Sequence, residues 1–123
     1  MKGRLTRVIL YVQDVERLAA FYRDLLDLSV CEHIAGEWCV LSAGQCELAL
    51  HRAGEGYRFP EMVSTSTSNV KLVISVEREL GDLRDELLAK GVPMREIKSF
   101  GTTGPLCDGT DPEGNVFQLS QAR

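Results

Sequence analysis

No apolar run in the chain approaches the roughly 20 residues that a membrane-crossing helix needs, so no helical membrane span is expected. Basic stripes and polybasic clusters are missing too. The formal net charge is -4, with acidic and basic residues interleaved, which argues against nucleic acid and against an anionic membrane as partner. Met1-Lys2-Gly3-Arg4 leads directly into patterned sequence, without the apolar segment of a secretory signal, and a cytoplasmic location is the expectation. Cysteine is sparse: Cys31, Cys39, Cys46 and Cys107 include no CxxC pair. That spacing fits no zinc motif, and buried, reduced thiols are expected. Cys107, just ahead of a polar turn, is the first candidate for a reactive thiol. Histidine is sparser still, limited to His33 and His51.

What is present is the composition of an ordinary folded domain. Hydrophobic residues at 44% and charged residues at 26% argue against wholesale disorder. At 123 residues the chain suits one domain spanning 1–123 and can bury about two-thirds of its unfolded surface. Leu5 to Val12 is rich in β-branched and apolar residues and predicts a strand. Asp14 stands where a helix N-cap belongs, and Val15, Leu18, Phe21, Tyr22 and Leu25 recur at helical spacing. Three strands are expected next, at Leu28–Ile34, Glu37–Ser42 and Gln45–His51, with Gly36 and Ala43-Gly44 as turns.

The second half repeats the order. Val70 to Val76 predicts a strand, and Leu80, Leu83 and Leu87 mark a helix. Gly91 fits the position just past its C-cap, and Pro93 blocks continuation. Strands are expected around Met94–Ser99, Pro105–Asp108 and Asn115–Gln121, the last after the turn signal Asp111-Pro112-Glu113-Gly114-Asn115. Val12 and Val76 close their strands, and Asp27-Leu28 and Gly91-Val92 follow their helices at the same offset. The chain therefore divides into module 1 (about 4–51), a linker (52–69) and module 2 (about 70–121). The linker carries the run Ser64-Thr65-Ser66-Thr67-Ser68, expected to be a solvated hinge.

Two stretches carry a family resemblance. Val8 to Leu26, with a strand ending at Asp14 and a Phe21-Tyr22 pair in the helix, resembles the opening of vicinal oxygen chelate proteins. This is the glyoxalase, bleomycin-resistance and dioxygenase superfamily. Asp111 to Leu119 resembles that superfamily's closing turn and strand. The resemblance implies an α+β fold of two βαβββ modules, curled into an open, cup-shaped mixed β-barrel with helices outside. It also implies a small-molecule cavity and a homodimer. Strand alternation turns Val8, Leu10 and Val12 toward the helix, and Arg7, Ile9 and Tyr11 toward the cup. Likewise Glu47, Ala49 and His51 face inward, as do Lys71, Val73 and Ser75, and Val116, Gln118 and Ser120. Gly101-Thr102-Thr103-Gly104 is expected as a rim loop. It is no phosphate loop, since no Lys-Ser/Thr follows.

Metal-dependent members hold a divalent ion with four side chains, typically His or Glu. The resemblance places those positions at Arg7, Glu47, Lys71 and Gln118. Arg offers no lone pair, Lys only after losing a proton, and Gln is a weak neutral ligand. No metal and no cofactor is expected. His51 does not rescue the site, lying four residues beyond Glu47 on one strand, about 13 Å away. Arg7 and Glu47 are expected to pair, leaving Lys71 less compensated and the cavity floor about one charge positive. The ligand-binding candidates are Arg7, Tyr11, Trp38, Glu47, His51, Lys71 and Gln118. The alternative is that the charged residues plug the cavity, and that Trp38 serves the core or a dimer interface. Three functions stay open. One is a protein sequestering an organic anion or antibiotic-like ligand. Another is a lyase, isomerase or dioxygenase, with Glu47 as one candidate base. The third is an accessory module with a filled cavity.

Overall fold

The computed structural model describes residues 1–58, 70–100 and 104–122. The chain divides into two compact units, Met1–Val63 and Ser64–Arg123. In the first, β1 (Arg7–Val12) leads into α1 (Val15–Leu26), followed by β2 (Ser29–Ile34), β3 (Trp38–Ala43) and β4 (Cys46–Arg52). Asp14 has extended backbone, and its carboxylate accepts the Arg17 N–H at 3.1 Å. It thus satisfies one of the donors that a helix start leaves open. Val15, Leu18, Ala19 and Tyr22 form the buried stripe of α1, which packs on β3 and β4. Cys39, Leu41, Leu48 and Leu50 are buried there. The helix closes at Asp27, whose φ of 54° lies in the left-handed region, one that Asp tolerates better than most residues.

The sheet order of this unit is β1-β4-β3-β2. The last three strands form antiparallel hairpins, whereas β1 lies parallel to β4 with Arg7 opposite Glu47 and Tyr11 opposite His51. A parallel neighbour needs a long crossover, which α1 and the two hairpins supply. β2 is an edge strand that α1 does not cover, and all six of its residues are exposed.

The second unit contains β5 (Lys71–Val76), α2 (Leu80–Ala89), β6 (Leu106–Thr110) and β7 (Val116–Gln121). Its sheet order is β5-β7-β6, again with the first and last strands parallel. Leu80, Leu83 and Leu87 are the buried residues of α2. Gly91 follows with φ +83°, the left-handed position that Asp27 occupies in the first unit, and here glycine meets it without steric cost. The Val92 N–H reaches back to the Leu87 carbonyl at 3.0 Å. In the turn before β7, Asp111 Oδ1 accepts the N–H groups of Glu113 and Asn115 at 2.9 and 3.0 Å.

Three expectations need correction. Met94–Ser99 is not a strand: its backbone pairs with β6 only at isolated bridges, Met94 to Gly109 and Lys98 to Leu106. These differ in register by one residue, so no continuous ladder runs between them. The Arg95 carbonyl is instead taken by Arg84 Nε at 2.7 Å and Cys107 Sγ at 3.1 Å. Module 2 is accordingly βαββ among the described residues. Third, β4 runs through Arg52, and Glu55–Tyr57 forms one turn of 3-10 helix inside the expected linker. The Ser64 to Ser68 run lies outside the described residues, as do Gly101, Thr102 and Thr103.

Gly109 leaves no room for a side chain in β6. A Cβ there would collide with Met94 Sδ and lie 2.6 Å from Phe117 Cζ. Met94 can shift, but Phe117 is fully buried. Gly109→Ala should therefore destabilise the protein by about 1–3 kcal/mol, the usual cost of overpacking, read from the midpoint of urea unfolding.

Candidate functional site

The sheet of the first unit buries one face against α1. Period-2 alternation puts Arg7, Ile9 and Tyr11 of β1 on the other face. Register brings Glu47, Ala49 and His51 of β4 beside them, and Ser42, Val40 and Trp38 of β3 beyond. Five of the seven candidate residues, Arg7, Tyr11, Trp38, Glu47 and His51, share this surface. Tyr11 is 71% exposed and His51 is exposed as well.

Arg7 organises one end. Its Nε and Nη2 lie 3.0 and 2.9 Å from the same oxygen, Glu47 Oε1. A guanidinium has five N–H donors, so most of its donor capacity is uncommitted in this pair. The guanidinium carbon lies 5.6 Å from the centre of the Trp38 ring, within cation–π range. Trp38 is fixed from the other side by its Nε1–H, which donates to Glu32 Oε2 at 2.9 Å. At the other end three rings stand at one level across three strands. His51 meets Tyr11 at 5.3 Å and Trp38 at 5.6 Å between centroids, with interplanar angles of 72° and 76°. Edge-on packing of this kind is favoured by the ring quadrupoles. His51 Nδ1 lies 2.9 Å from the Arg52 carbonyl oxygen.

Lys71 and Gln118, the other two candidates, belong to the second unit and meet there. Lys71 Nζ contacts Asp108 Oδ2 at 2.8 Å, and Gln118 Nε2 donates to Asp108 Oδ1 at 2.8 Å. The expectation of a less compensated Lys71 and a net positive floor is thereby corrected: Arg7 is matched by Glu47 and Lys71 by Asp108. Partial burial pushes the Asp108 carboxyl up. The hydrogen bonds from Lys71 and Gln118, with the Lys71 charge, outweigh that and hold it below its ordinary value.

The donors at the four implied ligand positions do not suit a divalent ion. Arg7 has no lone pair, Lys71 is in an ion pair, and Gln118 offers only a neutral amide oxygen, its N–H being donated to Asp108. Glu47 alone is a usual ligand. Among the described residues no three His, Cys, Asp or Glu side chains converge elsewhere as a metal site.

Two residues that sequence reasoning missed complete the picture. Asp108 lies opposite Gln118 in register, which only a known pairing of β6 with β7 reveals. Glu32 reaches Trp38 from a strand whose register shifts between Val30 and Glu32, and no pattern announces such a bulge. His33 lies on the opposite face of the sheet, across from Cys39. Its Nε2 is 2.8 Å from Glu16 Oε1, which also accepts the Gly36 N–H at 2.9 Å. The Gly36 hydrogen bond, followed by that of His33, lowers the Glu16 pKa. Cys107 is a poor candidate for reactivity: it is buried, and burial raises its pKa. Cys31, expected to be buried, is exposed on the edge strand.

A family description reading glyoxalase-like domain matches residues 7–120. No curated protein matches the chain. Among solved structures, a genomically encoded fosfomycin resistance protein from Listeria monocytogenes has a TM-score of 0.77 at 13% identity, covering 100% of this chain and 96% of that one. A lactoylglutathione lyase from Agrobacterium tumefaciens gives 0.73 at 16%, with 99% and 96% coverage. An antibiotic binding protein from a Streptomyces species gives 0.71 at 18%, with 99% and 98% coverage. At such identities the likeness is one of fold.

The two ion pairs lead to measurable expectations. The side chains of Arg7 and Glu47 are 35% and 36% exposed, so their coupling is screened. A double-mutant cycle on Arg7→Met and Glu47→Leu should yield about 0.2–1 kcal/mol, well short of the cost of a buried pair. Asp108 holds its proton less tightly folded than unfolded, so its pair with Lys71 stabilises above the ordinary Asp range. That stabilisation fades as pH falls through the folded value. Asp108→Asn should lower stability at neutral pH, and its deficit should shrink below about pH 4, as measured by urea unfolding across pH.

Proposed function

The chain belongs to the glyoxalase-like family, within the vicinal oxygen chelate superfamily, and we propose that it binds a small organic anion without a metal ion. The observation that carries this reading is Arg7. Its guanidinium is held over Trp38 and spends two contacts on a single Glu47 oxygen. It therefore presents further N–H groups to an oxyanion, for which Arg geometry is well suited. Trp38, Tyr11 and His51 add the aromatic wall that small-ligand sites use. Sequestration of an antibiotic-like molecule is the physiological role that fits. The Listeria and Streptomyces proteins of the same fold are described as a fosfomycin resistance protein and an antibiotic binding protein. An enzymatic role for Glu47 as a general base has less support, because Oε1 already accepts two Arg7 contacts that proton abstraction would weaken.

We extend the proposal to a cytoplasmic homodimer. No helix among the described residues is long and apolar enough to cross a membrane. Among the described residues, β1 and β2 are the edge strands of the first sheet and β5 is an edge of the second. Open edges favour association, and a two-fold dimer is the commonest closed form.

Untagged protein should carry no stoichiometric Ni, Zn, Fe or Mn by elemental analysis, and chelator treatment should leave ligand binding unchanged. Benzoate should quench or shift the fluorescence of Trp38, the chain's only tryptophan, in a saturable way. Arg7→Met should weaken that binding about tenfold, the share of one charge-assisted hydrogen bond. A response that does not saturate, or that ignores Arg7→Met, would count against the site. Light scattering should return a mass near twice 13.6 kDa.

A further inference from the structure

His51 carries information about the ligand that charge alone does not. Its Nδ1 lies 2.9 Å from the Arg52 carbonyl oxygen. A carbonyl oxygen can only accept, so Nδ1 carries the hydrogen. In the neutral ring Nε2 is then a bare acceptor, and no described residue donates to it. The backbone of the next residue on the same strand fixes this tautomer. Tyr11 and Trp38 stand directly opposite His51 on the neighbouring strands and flank it with their rings. The imidazole is thus confined in orientation while its acceptor nitrogen remains available on an exposed side chain.

The other polar end of the surface has the opposite character. Guanidinium, indole and imidazole succeed one another with gaps of 5.6 Å and 5.6 Å. A donor-rich cation therefore stands at one end, an acceptor at the other, and an indole between. Glu47 and Glu32, bound to Arg7 and Trp38 respectively, border this track. They would repel a second negative charge.

We infer that the surface takes a flat aromatic acid bearing one anionic group, set against Arg7, and one hydroxyl or N–H group at its far end, accepted by His51 Nε2. This deepens the binding reading above and rests on it. An ether or carbonyl at the far end would meet a lone pair with a lone pair, and would leave both without a partner. Discrimination here is modest, since the imidazole is exposed and the hydrogen bond is neutral. Such a bond corresponds to roughly a three- to tenfold preference.

The test uses 6-hydroxy-2-naphthoate and its methyl ether, 6-methoxy-2-naphthoate, titrated by calorimetry and by NMR shifts of the Trp38 indole N–H. The wild-type protein should prefer the hydroxy acid by roughly three- to tenfold. His51→Phe, which keeps a ring between Tyr11 and Trp38 but removes the acceptor, should bind the two alike. His51→Gln, whose amide oxygen accepts, should restore part of the preference. Long-range proton–nitrogen NMR should find the His51 hydrogen on Nδ1. If both acids bind equally to wild type, or the preference survives in His51→Phe, or the hydrogen resides on Nε2, this inference falls. In each of those outcomes the anion site at Arg7 still stands. If neither acid moves the Trp38 signal and Arg7→Met changes nothing, the binding reading falls too.

Discussion

The parallel pairing of each unit's first strand with its last is the constraint from which the candidate site follows. Because β1 lies alongside β4 in register, Arg7 meets Glu47 and Tyr11 meets His51. A slip of one residue would turn every one of these side chains toward α1 and expose the core leucines. Burial of Leu48, Leu50 and Val12 therefore specifies the polar surface as firmly as it specifies the core. The same logic holds in the second unit, where buried Phe117 and Leu119 set Gln118 on the opposite face.

Each unit carries a cation at a position where the family resemblance implies a metal ligand, and each answers it with a carboxylate of its own. The partners differ in origin. Glu47 sits directly across from Arg7, whereas Asp108 reaches Lys71 from the far side of β7. A metal ion would pull four side chains toward one point. Ion pairs satisfied within each sheet impose no such convergence.

Much of this was legible from local chemistry. Asp14 announced the helix start, Gly91 the helix end, and Asp111 to Asn115 the final turn. The period-2 alternation of Arg7 to Val12 separated the two faces of β1. What escaped depended on relations between distant segments. Met94 to Ser99 has strand-like composition, but Arg84 and Cys107 claim the Arg95 carbonyl, and neither is near it in sequence. Asp108 reads as a loop-edge residue until β6 is set against β7. Cys31 looks apolar in composition and lies exposed because α1 packs on β3 and β4 instead of β2. Exposure also separates a strongly coupled ion pair from a screened one, and the residues of Arg7 and Glu47 alone do not encode it.

Glu16 ties together parts of the first unit that the sheet ladder leaves separate. One carboxylate in the first turn of α1 holds the His33 ring of β2 and the Gly36 amide at the hairpin tip. That amide points away from the strand ladder, and on an ordinary hairpin tip it would trade its hydrogen with solvent almost freely. Here the Glu16 carboxylate caps it, so exchange waits on that contact opening, by rotation of the exposed Glu16 side chain or by the hairpin parting from the helix. The exchange rate of a single glycine proton would thus read how often this tie between helix and hairpin opens.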